Sequence, residues 1–375
     1  MPPPLLTLEE HHLTLSPPPS LTALYAQQLT HIPHLLAKTT DLGALRLRDM
    51  DAGGVALQVV SHVPGLSEHG GLEACRVAND ALAEAVRAEG ERAAVAAAAR
   101  GDGGAEGGGG GDGGDAKGGK WGGRFAGFAV APMGEPAEAA GELRRAVREL
   151  GFVGALVDNH CRGVFYEGEE YDVWWAAVEE LGVPVYLHPN WPSEEMMGRY
   201  RGNFSEAAAV SMASSGFGWH SETALHVMRL FASGLFDRRP GLKIIIGHMG
   251  EMLPFMLERI QLLSRRWGTF ERDFATVYRE NIWITTSGNW SLAPLRCILA
   301  NTKLDHILYS VDYPFLSNES GLEWIKELEK SGLVDEDQLK AIAYGNAEKL
   351  LGLKLPSNFS GVSSKLPGSP SASLY

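Results

Sequence analysis

The chain has 375 residues, 45% of them apolar, and a formal charge of −13, enough for a substantial core in one large α/β barrel or two ordinary domains. The acidic balance and the absence of a basic run speak against nucleic acid or an anionic membrane surface as the main partner. Cys75, Cys161 and Cys297 are too few and too far apart for a disulfide framework or a zinc ribbon, which points to a reducing, cytoplasmic setting. MPPPLLTLEEHH has no basic n-region or apolar h-region, and no apolar run reaches about 18 residues, so neither a signal peptide nor a membrane span is expected.

In chain order, Leu5 to Leu8 reads as a first strand, broken by Glu9, Glu10, His11 and His12. A proline-rich turn leads into helical spacing from Leu21 to Leu36. Val55 to Ser61 is a second strand that stops at His62 and a Pro-Gly turn. Leu72 to Arg100 is alanine-rich with charges on one face, the pattern of a helix. GDGGAEGGGGGDGGDAKGGKWGG, 101 to 123, cannot bury enough apolar surface to offset its ordering entropy and is expected to be a flexible insertion; it lacks the spacing of a phosphate-binding loop. Phe125 to Val130 is a third strand, followed by an amphipathic helix from Ala137 to Leu150. Phe152 to Val157 is a fourth strand, ending in Asp158, Asn159 and His160.

Beyond a helix from Tyr171 to Leu181, Val183 to Leu187 is a fifth strand ending at His188. A loop-like stretch precedes a long helix from Ser221 to Phe236. Leu242 to Ile246, LKIII, suits a sixth strand buried on both faces, with His248 just past its carboxyl end. Glu251 follows where a helix could begin, so its carboxylate can turn back to a ring nitrogen of His248. Asn281 to Thr286 and His306 to Ser310 are the seventh and eighth strands, the last leading into Val311 and Asp312. Helices from Ser320 to Lys330 and Glu336 to Leu351 complete the fold, and 356 to 375, rich in serine and proline, reads as a disordered tail.

Eight strands, most separated by helices, predict a single (β/α)8 barrel over residues 1 to 355, whose catalytic residues come from the carboxyl ends of several strands. Glu9 and His11 end strand one, His188 strand five, His248 strand six and Asp312 strand eight. Any one of them is more often structural than a ligand. Five at equivalent positions of a repeating architecture make the inventory of a catalytic divalent-ion site, with nitrogen and oxygen donors and no thiolate. An E-x-H pair on one strand also points both side chains to the same face.

TLEEHH, VYLHP, DRRPGLKIIIGHMGE and YSVDYPF resemble the metal-dependent decarboxylase branch of the amidohydrolase superfamily, which contains aminocarboxymuconate semialdehyde decarboxylase and the dihydroxybenzoate decarboxylases. The resemblance runs over roughly residues 5 to 352. It implies an amidohydrolase-type TIM barrel holding one divalent ion, Zn2+, Mn2+ or Mg2+, on Glu9, His11, His188 and Asp312. His248, backed by Glu251, would act with Asp312 in catalysis, and Arg259, in MLERI, would contact the substrate. Glu10 and His12 form a second E-x-H frame; the family's LEEH pattern favours Glu9 and His11. GFGWHSETALH and VDNH depart from the family and place His220 and Asn159 at the mouth as substrate-binding candidates.

The implied reaction is loss of CO2 from a small ortho-hydroxy aromatic carboxylate, with the ring carbon protonated first and the path reversible at high bicarbonate. The implied assembly is a homodimer or homotetramer. One rival is a hydrolase of a lactone or amide using metal-activated water, disfavoured because strand four ends GALVDNH without a lysine to bridge a second metal. A catalytically silent scaffold is disfavoured because no ligand position is lost.

Overall fold

The computed structural model describes residues 2–99, 123–356 and 359. Positions 101–122 of the glycine-rich insertion and nearly all of the serine- and proline-rich tail lie outside the described residues.

Eight strands occur in chain order: β1 (Leu5–His12), β2 (Val55–His62), β3 (Phe125–Gly127), β4 (Ala155–Asp158), β5 (Val185–His188), β6 (Ile244–Ile246), β7 (Ile282–Thr285) and β8 (Ile307–Leu308). All pairings are parallel, and they fall into two ladders, β1-β2-β3 and β4-β5-β6-β7-β8. Single parallel bridges, Ala129 with Ala155 and Glu10 with Tyr313, join the ladders at both ends. The ring is therefore closed in the order β1 to β8, the barrel the strand count predicts.

Each strand contributes to two layers, as alternation requires. Leu6, Leu8, Leu57, Val59, Leu156, Tyr186, Ile245 and Leu308 fill the barrel interior. Ile244 and Ile246 flank Ile245 and pack outward against the surrounding helices. All three isoleucines are fully buried, which is why β6 reads as a continuous apolar run.

β1 does not keep a strict alternation. Thr7 pairs with Gln58 and Glu10 with Val60, so Leu8 and Glu9 together face one residue of β2. This bulge switches the parity of the strand: Leu6 and Leu8 point inward before it, and Glu9 and His11 point inward after it. Both backbone N–H groups at the bulge donate to one side chain, the Ser310 hydroxyl, at 3.1 Å from Leu8 and 2.7 Å from Glu9. Glu10 faces outward instead, where its carboxylate accepts from the Val311 and Tyr313 N–H groups, each at 3.0 Å, and from Ser310 Oγ at 3.1 Å.

Several helices differ from the sequence expectation for identifiable reasons. The helix expected to reach Leu36 stops at His31, because Pro33 holds Ile32 extended, and restarts as Leu35–Thr40. The helix expected from Ser221 to Phe236 runs Gly218–Ala232 and breaks at Gly234, whose φ is +74°. Ala44–Ala52, Phe274–Asn281 and Leu292–Asn301 are further helices that the sequence reading left out. The closing helix is interrupted by a π-helical turn at Ala341–Gly345. Among the described residues, no helix is long and apolar enough to cross a membrane.

Replacing Ser310 by alanine should strand two fully buried N–H groups, at a cost of about 2 kcal/mol or more in unfolding free energy. It should also weaken metal retention, because Glu9 and His11 depend on the bulge. Ser310→Thr keeps the hydroxyl and should stay near wild type in both chemical denaturation and metal titration; equal losses in the two variants would mean that the hydroxyl does not hold the bulge.

Candidate active site

The residues at the carboxyl ends of β1, β5 and β8 converge. One donor atom from each of Glu9, His11, His188 and Asp312 lies within 4.8 Å of the others. His188 Nε2 is 3.0 Å from Glu9 Oε1, and His11 Nε2 is 3.2 Å from Asp312 Oδ1. Their contacts do not satisfy one another: Glu9 Oε1 and both nitrogens of His11 are buried without a hydrogen-bond partner. Buried polar atoms left in that condition are costly. The four donor atoms that converge here, two carboxylate and two imidazole, fit a divalent cation.

The surroundings prepare each donor. His188 Nδ1 lies 2.7 Å from the Pro189 carbonyl; donating there fixes the tautomer that leaves Nε2 free. Glu9 Oε2 accepts from the hydroxyls of Tyr186 and Ser287 and, at 3.4 Å, from Thr285, so Oε1 alone faces the cluster. Burial by itself would raise the Glu9 pKa, but the positive field of His248, with the neighbouring His188 and His11, outweighs it and holds the carboxyl far below its usual range. Asp312 has a φ of +71° and its N–H donates to the Glu9 carbonyl at 3.1 Å, tying β8 to β1 at the ligands themselves.

Beside this cluster, Glu251 is completely buried and links two imidazoles. Its Oε1 is 2.7 Å from His248 Nδ1 and its Oε2 is 2.6 Å from His220 Nδ1. His248 Nε2 then lies 3.7 Å from Glu9 Oε1. Burial would depress the His248 pKa, yet the adjacent carboxylates of Glu251 and Glu9 push it up to about 10. Burial would raise Glu251, but the two histidines bring it down to about 2. His248, Met249, Glu251 and Met252 all have positive φ, so the turn after β6 is strained to bring Glu251 back under the ring. Gly247 makes room for this packing: a Cβ there would sit 2.9 Å from the Tyr186 hydroxyl, 3.0 Å from Glu9 Oε2 and 3.2 Å from Glu251 Oε1.

Glu9, His11, His188, His248, Glu251 and Asp312 are thus brought together, and the second E-x-H frame is not, since Glu10 and His12 face away. Three other expected residues are placed differently. Asn159 is fully buried and donates to Thr223 Oγ1 at 3.0 Å, which leaves it no surface for a small molecule. Arg259 is exposed on the helix Leu253–Ser264, whose Leu257 and Ile260 face the core. His220 is near the mouth, but its nitrogens face Glu251 and, at 3.1 Å, the Ser215 carbonyl, so neither is left for a substrate.

Asp158 escaped the sequence reading. It pairs with His188 in register and so shares its face of the sheet. It is buried, its Oδ2 accepts the Gly65 N–H at 3.0 Å, and burial pushes its pKa up to about 7. Only the register of β4 against β5 distinguishes it from Asn159. An aromatic wall was also missed: Phe315 sits edge-on to His11 at 5.7 Å and stacks with Tyr25 at 6.3 Å, Tyr25 meets Trp191 at 5.9 Å, and Trp191 meets Trp219 at 5.3 Å. These rings come from the middle of one helix, the start of another and two loops, so no local pattern announces them.

Comparison with known proteins places this geometry. An amidohydrolase family model matches residues 30–353. Decarboxylase orsB of Emericella nidulans is 48% identical over 94% of this chain and 98% of its own length. A gamma-resorcylate decarboxylase of Polaromonas sp. is 33% identical over 86% of this chain and 90% of its own. The crystal structure of a dihydroxybenzoic acid decarboxylase from Polaromonas sp., with bound manganese and the inhibitor 2-nitroresorcinol, superimposes with a TM-score of 0.74 at 31% identity, covering 94% of this chain and 97% of that one. The chain therefore belongs to the amidohydrolase family, in the branch of its decarboxylases.

Proposed function

We infer that this protein removes CO2, without oxidation, from a small aromatic carboxylate carrying an ortho hydroxyl. The observation that carries the reading is the meeting, at one mouth, of four convergent metal donors with an acid–base pair, His248 and Glu251. Direct loss of CO2 from an aromatic ring would leave an aryl anion whose lone pair lies in the ring plane and cannot delocalise. Protonation of the carboxyl-bearing carbon beforehand removes that obstacle, and an ortho hydroxyl enriches that carbon in electrons. Asp312, the only one of the four donor residues that is not fully buried, is positioned to give that proton at its carboxyl oxygen. His248, close to Glu9 and held by Glu251, manages the charge and proton of the mouth. Glu9, His11, His188 and Asp312 would hold one divalent ion, which would supply Lewis-acid attraction for an anionic substrate and so help to fix the ring in one orientation. Manganese is the ion best supported, by the neighbour that carries it and by a donor set with two carboxylates. Tyr25, Phe315, Trp191 and Trp219 offer flat apolar faces to a substrate ring. The hydrolase alternative has less support, since β4 ends in Asp158 rather than a lysine that could bridge two metals.

The protein further acts as a homodimer or homotetramer. Support comes from the helix Leu253–Ser264, where Phe255 is 84% and Leu262 61% exposed on one stripe with Arg259 between them. Phe255→Glu should shift the protein toward monomer in light scattering, and an unchanged mass would remove this surface as the interface. A cytoplasmic setting is supported by the three free cysteines.

Two measurements test the chemistry. Metal analysis should give one divalent ion per chain, with decarboxylation of a hydroxybenzoate panel lost on chelation; two ions, or hydrolysis in place of CO2 release, would favour the rival. Asp312→Asn should abolish turnover, because an amide gives up no proton at useful pH.

A third measurement concerns pH, in metal-free protein. Glu251 is lowered from an ordinary 4.5 to about 2 and His248 raised from an ordinary 6.5 to about 10. Their pairing stabilises the fold fully between about 4.5 and 6.5. It is lost as pH falls through about 2 and as pH rises from 6.5 through about 10. The stability difference between wild type and His248→Asn should trace that plateau; a flat difference would show that the two groups are not coupled.

A further inference from the structure

We propose that His220 is a positioning residue that clamps Glu251, and through it His248, in the geometry needed for turnover. The proposal rests on the decarboxylase reading above. Glu251 is completely buried, and each of its oxygens faces one imidazole, His248 on Oε1 and His220 on Oε2. A carboxylate held at one oxygen can turn about its last side-chain bond, which has a broad, two-fold profile. Held at both, it cannot. The second hold is anchored in turn, because His220 Nε2 lies 3.1 Å from the carbonyl of Ser215 in the turn between the helices Glu206–Ala213 and Gly218–Ala232.

The two imidazoles also touch, with ring centres 4.7 Å apart at 66°, so His220 limits the tilt of His248 directly as well as through the carboxylate. Next to His220 in the chain, Trp219 belongs to the aromatic wall. One residue thus ties the wall, the buried carboxylate and the histidine beside the metal donors into a single unit. No nitrogen of His220 is left to bind substrate, and the metal donors are four other residues. Its work is therefore done through Glu251.

The experiment compares His220→Leu with His220→Asn, whose side-chain amide can present an N–H where Nδ1 stands. His220→Leu should lower kcat about 10- to 100-fold, the range seen when outer-shell partners of a site are removed, with KM and metal content unchanged. His220→Asn should recover most of kcat. In a Glu251→Gln background, His220→Leu should add little further loss, since the two act in one chain of contacts. Proton spectra of protein labelled with 15N-histidine give a readout independent of catalysis: wild type should show two strongly downfield Nδ1–H signals, and His220→Leu should lose one and shift the other. Should the leucine variant fail to fold, His220→Phe, which refills the imidazole volume, takes its place. A raised KM with kcat intact, wild-type kinetics in the leucine variant, or an asparagine variant as poor as leucine would each overturn the proposal. Absence of decarboxylation in wild type with the spectral pattern intact would instead overturn the functional reading alone.

Discussion

The site depends on the bulge in β1 and on the Ser310 hydroxyl that accepts from both of its backbone N–H groups. Without an extra residue at Leu8 and Glu9, the interior parity set by Leu6 and Leu8 would continue to Glu10 and His12, and a different acid and histidine would face the mouth. A shift of one residue in a strand carries every later side chain to the other face, so the bulge decides which of two E-x-H pairs becomes a ligand pair. The outward-facing Glu10 then closes the seam from behind by accepting from the N–H groups on either side of Asp312. Adjacent glutamates in EE thus serve opposite sides of one strand, the first as a member of the convergent donor cluster and the second as a fastening for the strand that supplies its last member.

Charge is arranged with similar economy. Glu9 has one oxygen consumed by hydroxyl donors from β5, β7 and the loop after it, and the other left bare. Glu251 has both oxygens consumed, by imidazoles. The first arrangement suits binding a cation and the second suits holding a proton-bearing ring still. Two buried carboxylates of the same chemistry are thereby given different work by their neighbours alone.

Much of this was legible in the chain. The isoleucine run before GHMGE marks a strand buried on both faces, and the polar residue after each apolar run falls at the mouth because parallel barrels put the carboxyl ends of all strands on one side. What escaped was what local pattern does not encode. EEHH is ambiguous until the bulge is seen, and its anchor, Ser310, lies about three hundred residues away. Asn159 was named from the VDNH pattern, and only the register with His188 brings out Asp158 beside it. Arg259 matches a motif, yet the side of its helix is set by which residues the barrel buries. His220 was recognised as standing near the mouth, but its bond to Glu251 joins the end of one loop to the start of another.

The seam between β1 and β8 has a consequence for how the molecule is completed. Glu9 bonds to Ser310 across a separation of 301 residues, so the donor cluster joins the first strand of the barrel to its eighth. Closing so long a loop carries an entropic cost that only finished neighbouring strands can offset. A chain released from the ribosome before β8 holds Glu9, His11 and His188 but neither Asp312 nor the hydroxyl that sets the bulge. It cannot assemble the four-donor cluster, which arises only in a polypeptide whose barrel has already closed.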